Sequence, residues 1–416
     1  MLSSTWEVPE GTMTPKRGSS RCFACDARRR YEPTRATKSG RAITSVDMDP
    51  TLPTTAAEIS AGWLTGALHD SGTLPANGTV TAVEVAPATA GVGFLGEVAR
   101  LLIDYDGDAG HAPPTMIAKF ATRVPEVRAM MRPTRIFERE HRFYAELAQE
   151  TPVRTPVVHH VTCNTSDDDT VDEDYLLLLE DFGELTLGDQ AVGVSPDQAE
   201  SALVGLAAHH ARFWGGAGLE QADFIPVIDG PLNKTGAAIY SASLPGFKEV
   251  FGTALLPEMV PVADAYGHNH PGLLDRLGAM PHTLVHFDFR ADNLFFETDG
   301  SVAVIDWQAI SQGGGAADVG YFLGQNLTVE DRRAHEETLL HTYHDALVGG
   351  GVEGYNFPAF FDDYRVGLIY GWVIPVFAVG SLDVSSERAM TLWTNVVERV
   401  QDAIFQHGAQ RFVDLG

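Results

Sequence analysis

The chain of 416 residues has little cysteine and little positive charge, and it lacks a long apolar run. Its three cysteines cannot build a disulfide framework, so we expect a reducing, cytoplasmic location. Lys and Arg number 29 against 56 Asp and Glu, a net charge of −27, which disfavours binding to nucleic acid or to anionic membranes. The nearest candidate for a membrane helix, residues 366–380, is shorter than the ~20 residues required and contains Pro375.

The first 47 residues differ in composition from the remainder. They carry nine Lys or Arg and five Asp or Glu, a charge of +4 (9 − 5), whereas residues 48–416 carry −31 (20 − 51). They show no apolar periodicity and no apolar core of a secretion signal. We expect residues 1–47 to be a disordered basic tail, or an over-extended start with translation beginning near Met48; a mitochondrial-type presequence is a lesser alternative. Cys22 and Cys25 have the spacing of half a zinc site, but no second ligand pair lies nearby, which favours ordinary thiols.

From residue 54 onward the pattern predicts an α+β fold in two parts. Strands with period-two or continuous apolar character are expected over 80–85, 98–105, 116–120 and 175–180. Helices are expected over 59–68, 134–149, 196–214, 329–348 and 386–405. The change from strands to helices near Gly183 predicts a smaller part, residues 48–182, with an antiparallel sheet, and a larger, mainly helical part, residues 183–416.

A glycine-rich segment lies between the first two predicted strands. Gly91, Gly93 and Gly96 have the spacing G-x-G-x-x-G, which two unrelated folds use to hold nucleotide phosphates. In a dinucleotide-binding oxidoreductase the third glycine opens a helix, but the residues after Gly96 alternate as in a strand. A glycine-rich turn between antiparallel strands covers the phosphates in protein kinases, and an ordinary hairpin is the alternative.

Lys119 lies within the next apolar strand. An ammonium in such a strand needs a partner, because an unpaired buried charge is costly. The following helix offers Glu138 and Glu140, of which we favour Glu140. Such a pair would hold the ammonium toward the α- and β-phosphates of ATP; a solvated lysine on an edge strand is the alternative.

The strongest pattern is a loop with the spacing H-x-D-x-x-x-x-N, formed by His286, Asp288 and Asn293. Asp306 follows at the end of a predicted strand. Phosphoryl transfer to an alcohol needs a carboxylate at the attacking oxygen, which suits Asp288. Mg²⁺ prefers oxygen ligands, which Asn293 and Asp306 supply. His286 is expected to pack and to hydrogen-bond the loop rather than to act as a base.

Together these residues resemble the aminoglycoside-phosphotransferase or choline-kinase-like group, most of all its ecdysteroid-kinase-like and acyl-CoA-dehydrogenase-associated branches. The likeness covers about residues 55–405 and includes the segments FEREHRFY (137–144), LLED (178–181), HARFW (210–214), VIDWQ (304–308) and DVGYF (318–322). It implies a bilobal protein-kinase-like fold with ATP and Mg²⁺ as cofactors. It also implies that Leu179, Glu180 and Phe182 lie in the hinge that contacts adenine, and that Asp318 braces the catalytic loop.

Several residues are open to two interpretations. The family usually has glycine between the histidine and the aspartate of the loop, where this chain has Phe287; its ring either narrows the approach of the acceptor or packs beneath the loop. Four aromatic residues either line the acceptor pocket or pack in the core: Trp307, Tyr370, Trp372 and Phe377. In the family, the C-terminal helices form the wall of that pocket. The adjacent His209 and His210 point about 100° apart on a helix, which favours packing over a metal site.

The sequence therefore predicts an ATP- and Mg²⁺-dependent kinase that phosphorylates a hydroxyl of a small molecule, without a nucleic-acid or membrane partner. The alternative is a catalytically impaired kinase-like regulatory protein that binds nucleotide; the complete set of Lys119, Asp288, Asn293 and Asp306 favours the enzyme. The acceptor and the oligomeric state stay open. Acidity favours a cationic acceptor such as an aminoglycoside, and the aromatic C-terminal segment favours an apolar alcohol such as a steroid or a macrolide.

Overall fold

The computed structural model describes residues 52–87, 96–164, 174–381 and 384–416. The predictions for the tail 1–47 and for Gly91 and Gly93 lie outside these residues, whereas Gly96 is the first residue of a strand. No helix in the described part of the chain is both long and apolar enough to cross a membrane.

A five-stranded antiparallel sheet forms the amino-terminal part of the described chain, with the strand order β1-β2-β3-β5-β4. Its strands are Gly78–Pro87 (β1), Gly96–Gly107 (β2), Thr115–Ala121 (β3), Val158–Cys163 (β4) and Tyr175–Glu180 (β5). All four predicted strands are present, and β4 is an addition. β3 lies in the middle of the sheet, where Lys119 pairs with Val98 of β2 and Leu177 of β5, so its surroundings are apolar.

Three α-helices accompany the sheet in the described residues: Ala61–Asp70 (α1), Pro125–Met131 (α2) and Ile136–Arg142 (α3). The side chain of Ser60 caps α1 by accepting a hydrogen bond from the Trp63 N–H. The expectation of one helix over 134–149 is wrong at its start, because Arg135 is left-handed, with a φ of 51°, directly before α3. It also changes form at its end, where residues 143–147 continue as a π-helix.

The carboxy-terminal part is mainly helical. Its helices in the described residues are Pro196–Arg212 (α4), Pro231–Lys234 (α5), Gly236–Phe251 (α6), Met259–Gly278 (α7), Ala316–Asn326 (α8), Val329–Gly349 (α9), Phe357–Gly371 (α10), Val373–Ser381 (α11) and Glu387–Gln406 (α12). The helices expected over 196–214, 329–348 and 386–405 are α4, α9 and α12. Three further helices are not predicted by the sequence patterns, because each contains a proline, a residue that usually ends a helix. These are Pro245 in α6, Pro271 in α7 and Pro375 in α11.

Short strands hold the loop that carries Asp288. They are Thr186–Leu187 (β6), His282–Val285 (β7), Leu294–Phe296 (β8), Val302–Val304 (β9) and Ser311–Gly314 (β10). β7 pairs with β10, and β8 pairs with β6 and β9. The loop over 286–293 therefore leaves one small sheet and enters another, which fixes both of its ends, and Asp306 follows β9 by two residues.

Helix α8 crosses α10 in near backbone contact. A Cβ atom added at Gly320 of α8 would lie 2.4 Å from the carbonyl carbon of Gly367 in α10, and one added at Gly367 would lie 2.2 Å from the Ala316 carbonyl oxygen. Both positions therefore require glycine. The close crossing fixes α8, which carries Asp318 and Tyr321, relative to α10.

Buried histidines make the stability of this fold sensitive to acid. Burial lowers the pKa of His141 to about 3 and the pKa of His270 to about 4, and it holds the pKa of His209 well below its ordinary value. In the unfolded chain these side chains titrate near 6.5. Because the folded-state pKa values are lower, the unfolded chain binds more protons below about pH 6.5, and stability falls as the pH falls.

We expect the free energy of unfolding to decrease from about pH 7 to about pH 5, by up to ~1.4 kcal/mol per pH unit for each of these histidines. His270→Phe retains an aromatic ring and removes one titrating group, so its stability should depend less steeply on pH. Urea denaturation at a series of pH values measures both slopes. Equal slopes for wild type and variant would contradict this role of His270.

Candidate functional site

Lys119 connects the amino-terminal sheet to α3 and to the segment after β9. Its Nζ donates to Glu140 Oε1 at 2.7 Å and to Asp306 Oδ1 at 2.9 Å. Lys119 and Glu140 are 8% and 1% exposed. Glu138, the other carboxylate considered for this pair, instead contacts arginines of its own helical segment. The structure thus brings Lys119 and Glu140 together and adds Asp306 as a second partner, which the sequence pattern did not indicate.

Lys119 and Asp306 each stabilise the ionised form of the other. Burial alone would lower the pKa of Lys119, but Asp306 and Glu140 raise it above its ordinary value, so the ammonium keeps its proton. Burial would likewise raise the pKa of Asp306, and the neighbouring Lys119 and Arg290 hold it below its usual range. Burial raises the pKa of Glu140, whose second oxygen accepts a hydrogen bond from the Tyr175 hydroxyl at 2.9 Å. Asp306 is therefore an ionised carboxylate at the edge of the cluster.

The carboxylate of Asp288 is oriented by three side chains. Its Oδ1 accepts from the Tyr321 hydroxyl at 3.1 Å, and its Oδ2 accepts from Asn293 Nδ2 at 3.0 Å and from Arg290 Nε at 3.3 Å. The side chain of Asp288 is 24% exposed, so it can reach a bound molecule. Sequence reasoning missed Tyr321 and Arg290 as site residues, although both lie inside the motif segments.

Asp318, buried at the start of α8, holds the backbone of the loop. Its Oδ2 accepts from the His286 N–H and its Oδ1 from the Phe287 N–H, both at 2.7 Å. His210 Nε2 contacts the same carboxylate at 3.2 Å, and His210 Nδ1 contacts the Tyr343 hydroxyl at 2.7 Å. These contacts are what the bracing role of Asp318 requires, and they place His210 in a buried hydrogen-bond network.

His286 and His209 each contact the backbone of another segment. His286 Nε2 lies 3.0 Å from the Ile305 carbonyl oxygen, and its Nδ1 accepts from the Asp288 N–H at 3.3 Å. His286 therefore connects the loop to the segment that carries Asp306. His209 contacts the Leu284 carbonyl oxygen and the Thr151 hydroxyl at 2.9 and 2.7 Å, which is a packing role.

Asn293 and Asp306 are brought together by the β8–β9 hairpin. The Ile305 N–H donates to the Asn293 carbonyl oxygen at 3.0 Å. Asn293 Nδ2 donates to Asp288, which leaves the amide Oδ1 without a hydrogen-bond donor among the described residues. Amide and carboxylate oxygens are ligands that suit Mg²⁺, which usually binds through one or two carboxylates plus phosphate oxygens and waters. The donor set present here therefore fits a magnesium ion.

The residues predicted for the hinge lie at and just after the end of β5. Leu179 is buried and pairs with Ile117 of β3. Glu180 accepts from the Val157 N–H at 3.1 Å, and the ring of Phe182 packs on Phe295 of β8 with 5.2 Å between centroids. These contacts join the sheet to the loop strands, and the role of the segment toward adenine stays a prediction.

Of the four aromatic candidates for an acceptor wall, the structure buries three in the core, Trp307, Trp372 and Tyr370, and leaves Phe377 partly exposed. Trp307 is 1% exposed and stacks on Phe143 at 4.2 Å, and Trp372 is fully buried. Tyr370, although 8% exposed, and Phe377 are connected to Phe287 through ring contacts. The rings of Phe287 and Tyr370 stack at 5.3 Å, and His270 contacts both Tyr370 and Phe377, at 5.9 and 6.4 Å. We call Phe287, Tyr370, His270 and Phe377 the aromatic wall.

Phe287 has a φ of 66°, a left-handed conformation that is costly for residues other than glycine. This conformation explains the preference for glycine that the family resemblance indicates at this position. Phe287 is half-buried and packs on Tyr370 and the core, and both sequence-based interpretations of its ring stay predictions.

The chain is similar to a family of known proteins and to several solved structures. The model of the ecdysteroid kinase-like family matches residues 90–350. A choline kinase from Cryptosporidium parvum superposes with a TM-score of 0.50 at 10% identity, covering 84% of this chain and 98% of that chain. A putative aminoglycoside phosphotransferase from Ralstonia eutropha gives a TM-score of 0.47 at 16% identity, covering 84% and 98%. A macrolide 2'-phosphotransferase from Brachybacterium faecium gives 0.41 at 17% identity, covering 76% and 90%.

The chain has the bilobal fold of small-molecule kinases, with an antiparallel sheet in one part and helices in the other. It belongs to the ecdysteroid kinase-like family, whose model matches more than half of it. A search among curated proteins gives no significant match.

The left-handed conformation at position 287 generates a test. Phe287→Ala and Phe287→Gly both remove the ring, but only glycine adopts this backbone without strain. We therefore expect the glycine variant to be more stable than the alanine variant by about 1 kcal/mol. Urea denaturation of the two variants gives the difference.

The exposed Ala238 in α6 is the matched control. Ala238→Gly should lower the free energy of unfolding by roughly 0.5–1 kcal/mol, the opposite of the effect of glycine at position 287, since glycine is unfavourable within a helix. An alanine variant at 287 as stable as the glycine variant would show that the loop relaxes away from the left-handed conformation.

Proposed function

We propose that the protein is an ATP- and Mg²⁺-dependent kinase that transfers the γ-phosphoryl group to a hydroxyl of a small molecule. The observation that supports this most strongly is that Lys119 bonds to Asp306 and Asn293 bonds to Asp288, while the Ile305 N–H, next to Asp306, donates to the Asn293 carbonyl oxygen. Each of these side chains suits one need of phosphoryl transfer. Membership of the ecdysteroid kinase-like family supports the same activity.

The residues divide the work between the two substrates. Lys119, held by Glu140, would contact the α- and β-phosphates as a fixed positive charge. Asp306 and Asn293 would hold Mg²⁺, which neutralises phosphate charge when bound. Asp288, oriented by Tyr321, would accept the proton of the attacking hydroxyl or hold that hydroxyl in line. Gly91, Gly93 and Gly96 would cover the phosphates, and the hinge at Leu179, Glu180 and Phe182 would contact adenine.

The aromatic wall favours an acceptor with an apolar, ring-bearing body over a polycationic aminoglycoside. Phe287 of the wall directly precedes Asp288, and Phe287 and Phe377 have partly exposed rings, whereas Tyr370 and His270 are 8% and 1% exposed. The histidine is neutral because burial lowers the pKa of His270 to about 4. None of the four wall residues carries a negative charge. A panel of a steroid alcohol, a macrolide, choline and an aminoglycoside, each assayed for ATP consumption, tests this preference. Selective turnover of the aminoglycoside would contradict it.

The alternative of an impaired, regulatory nucleotide-binding protein is less favoured, because the set of Lys119, Asp288, Asn293 and Asp306 is complete. We place the enzyme in the cytoplasm because three cysteines in 416 residues suit a reducing compartment. No nucleic-acid partner is proposed, since the charge of −27 opposes one.

The role of Asp288 predicts a separation of chemistry from binding. Asp288→Asn keeps the size of the side chain and removes the base, so turnover should fall by ~10²–10⁴. ATP affinity should stay within about threefold, because Asp288 lies on the acceptor side of the site. Single-turnover transfer to a substrate from the panel and calorimetric ATP titration measure the two effects. Asp299→Asn, in the exposed β8–β9 turn, is the control, and turnover retained in Asp288→Asn would sink the assignment.

Asp306 and Lys119 should differ in their dependence on Mg²⁺. Asp306→Asn removes the ionised metal ligand, so ATP should bind equally weakly with and without Mg²⁺. Lys119→Met combined with Glu140→Gln removes the two most buried charges together and leaves Asp306 in place, so it should weaken ATP binding while keeping the enhancement by Mg²⁺. ATP titrations in Mg²⁺ and in EDTA distinguish them. A full Mg²⁺ enhancement in Asp306→Asn would refute the ligand role.

A further inference from the structure

Arg290 is a cation within the loop that none of the roles assigned above uses. It follows Asp288 by two residues, and its Nε lies 3.3 Å from each carboxylate oxygen of Asp288. Its Nη1 donates to Asp292 Oδ2 at 2.7 Å. Its Nη2 has no hydrogen-bond partner among the described residues and is not among the buried unsatisfied atoms, so solvent reaches it. The side chain as a whole is 20% exposed.

Two anchors fix the plane of this guanidinium. Asp288 is held by Tyr321 and Asn293, and Asp292 accepts the Gln190 N–H at 2.9 Å through its other carboxylate oxygen. A planar guanidinium bound along two of its edges presents the third in one direction. The solvent-reached Nη2 is therefore held beside the carboxylate that we assign to the acceptor hydroxyl.

The charge of Arg290 meets a need of the proposed reaction. Asp288 and Asp306 are both anionic groups around the path of a phosphoryl group that is itself negatively charged. Lys119 is committed to Glu140 and Asp306 on the nucleotide side. In the transition state of phosphoryl transfer the negative charge spreads over three equatorial oxygens, and a guanidinium suits them because it donates along a plane.

We infer that Arg290 is a catalytic residue that donates from Nη2 to an equatorial oxygen of the phosphoryl group during transfer, with Asp292 as its positioning residue. This inference rests on the proposed function. In the step, the bond between the γ-phosphorus and the β,γ-bridging oxygen breaks with its electron pair leaving on ADP. The bond between the acceptor oxygen and phosphorus forms, and the hydroxyl proton passes to Asp288. Arg290 gains and loses no proton.

The test needs no acceptor, because MgADP with aluminium fluoride mimics the phosphoryl group in transit, whereas the non-hydrolysable analogue MgAMP-PNP mimics the ground state. We expect Arg290→Ala to weaken binding of MgADP–aluminium fluoride by at least ~10-fold, while MgAMP-PNP binding stays within about threefold. Arg290→Lys retains the positive charge but not the planar set of donors, so its affinity for MgADP–aluminium fluoride should lie between those of wild type and Arg290→Ala. Asp292→Asn, which frees one edge of the guanidinium, should give a smaller loss of the same selectivity.

Arg333→Ala is the matched control, since Arg333 is an exposed arginine of α9 paired with Asp402 away from the loop. It should leave both affinities unchanged. Two outcomes would overturn the inference and leave Arg290 as a structural partner of Asp288. In the first, Arg290→Ala and Arg290→Lys lose affinity equally for MgADP–aluminium fluoride and for MgAMP-PNP. In the second, neither variant loses affinity for either complex. Failure of the wild type to bind any nucleotide would instead refute the proposed function. If Arg290→Ala does not fold, Arg290→Lys and Asp292→Asn decide by the same selectivity.

Discussion

The buried ion pair between Lys119 and Glu140, extended to Asp306, is the interaction on which the site depends. It joins three segments that are distant in the sequence: the central strand, the helix that follows it and the residues after β9. In such a buried cluster, loss of one partner leaves a charge without compensation, at a cost of several kcal/mol. The mutual position of the two parts of the molecule at this point is therefore set by electrostatics in an apolar environment.

The apolar core around this cluster supports the same geometry. Phe143 from the amino-terminal part stacks on Trp307, which directly follows Asp306, and both belong to a core that continues into the helices of the carboxy-terminal part. Arg139 donates to the carbonyl oxygen of Ile310 just beyond. A displacement of α3 would thus disturb packing and hydrogen bonds together, which keeps Glu140 within reach of Lys119.

Sequence patterns predicted the parts of the site that depend on local spacing. The strands were recognisable because burial on one or both faces imposes alternation or a continuous apolar run, and the pairing of Lys119 with Glu140 followed from the need of a buried cation for a partner. The loop motif located Asp288 and Asn293. The assignment of chemical roles to these residues, and the boundary of the two parts near residue 183, stay predictions.

Features that arise from long-range packing were beyond the sequence. The second contact of Lys119 joins residues 187 positions apart, and nothing near Asp306 in the sequence signals it. The left-handed conformation of Phe287 depends on residues distant in the sequence. Asp318 of α8 accepts the N–H groups of His286 and Phe287, and Tyr370 of α10 stacks on the Phe287 ring. Trp307 and Trp372 were indistinguishable from wall residues in sequence, because an aromatic side chain suits a core and a binding surface equally.

The near backbone contact between α8 and α10 at Gly320 and Gly367 also limits how such an enzyme can diversify. α8 supplies Asp318 and Tyr321 to the loop, and α10 supplies Tyr370 to the wall, so neither helix can shift without moving both. Helices α6 and α11 have a close contact of their own, because a Cβ added at Gly380 of α11 would clash with the Ser243 side chain of α6. Substitutions that alter the acceptor without displacing Asp318 and Tyr321 are therefore expected at side chains outside both crossings, such as the partly exposed Phe377.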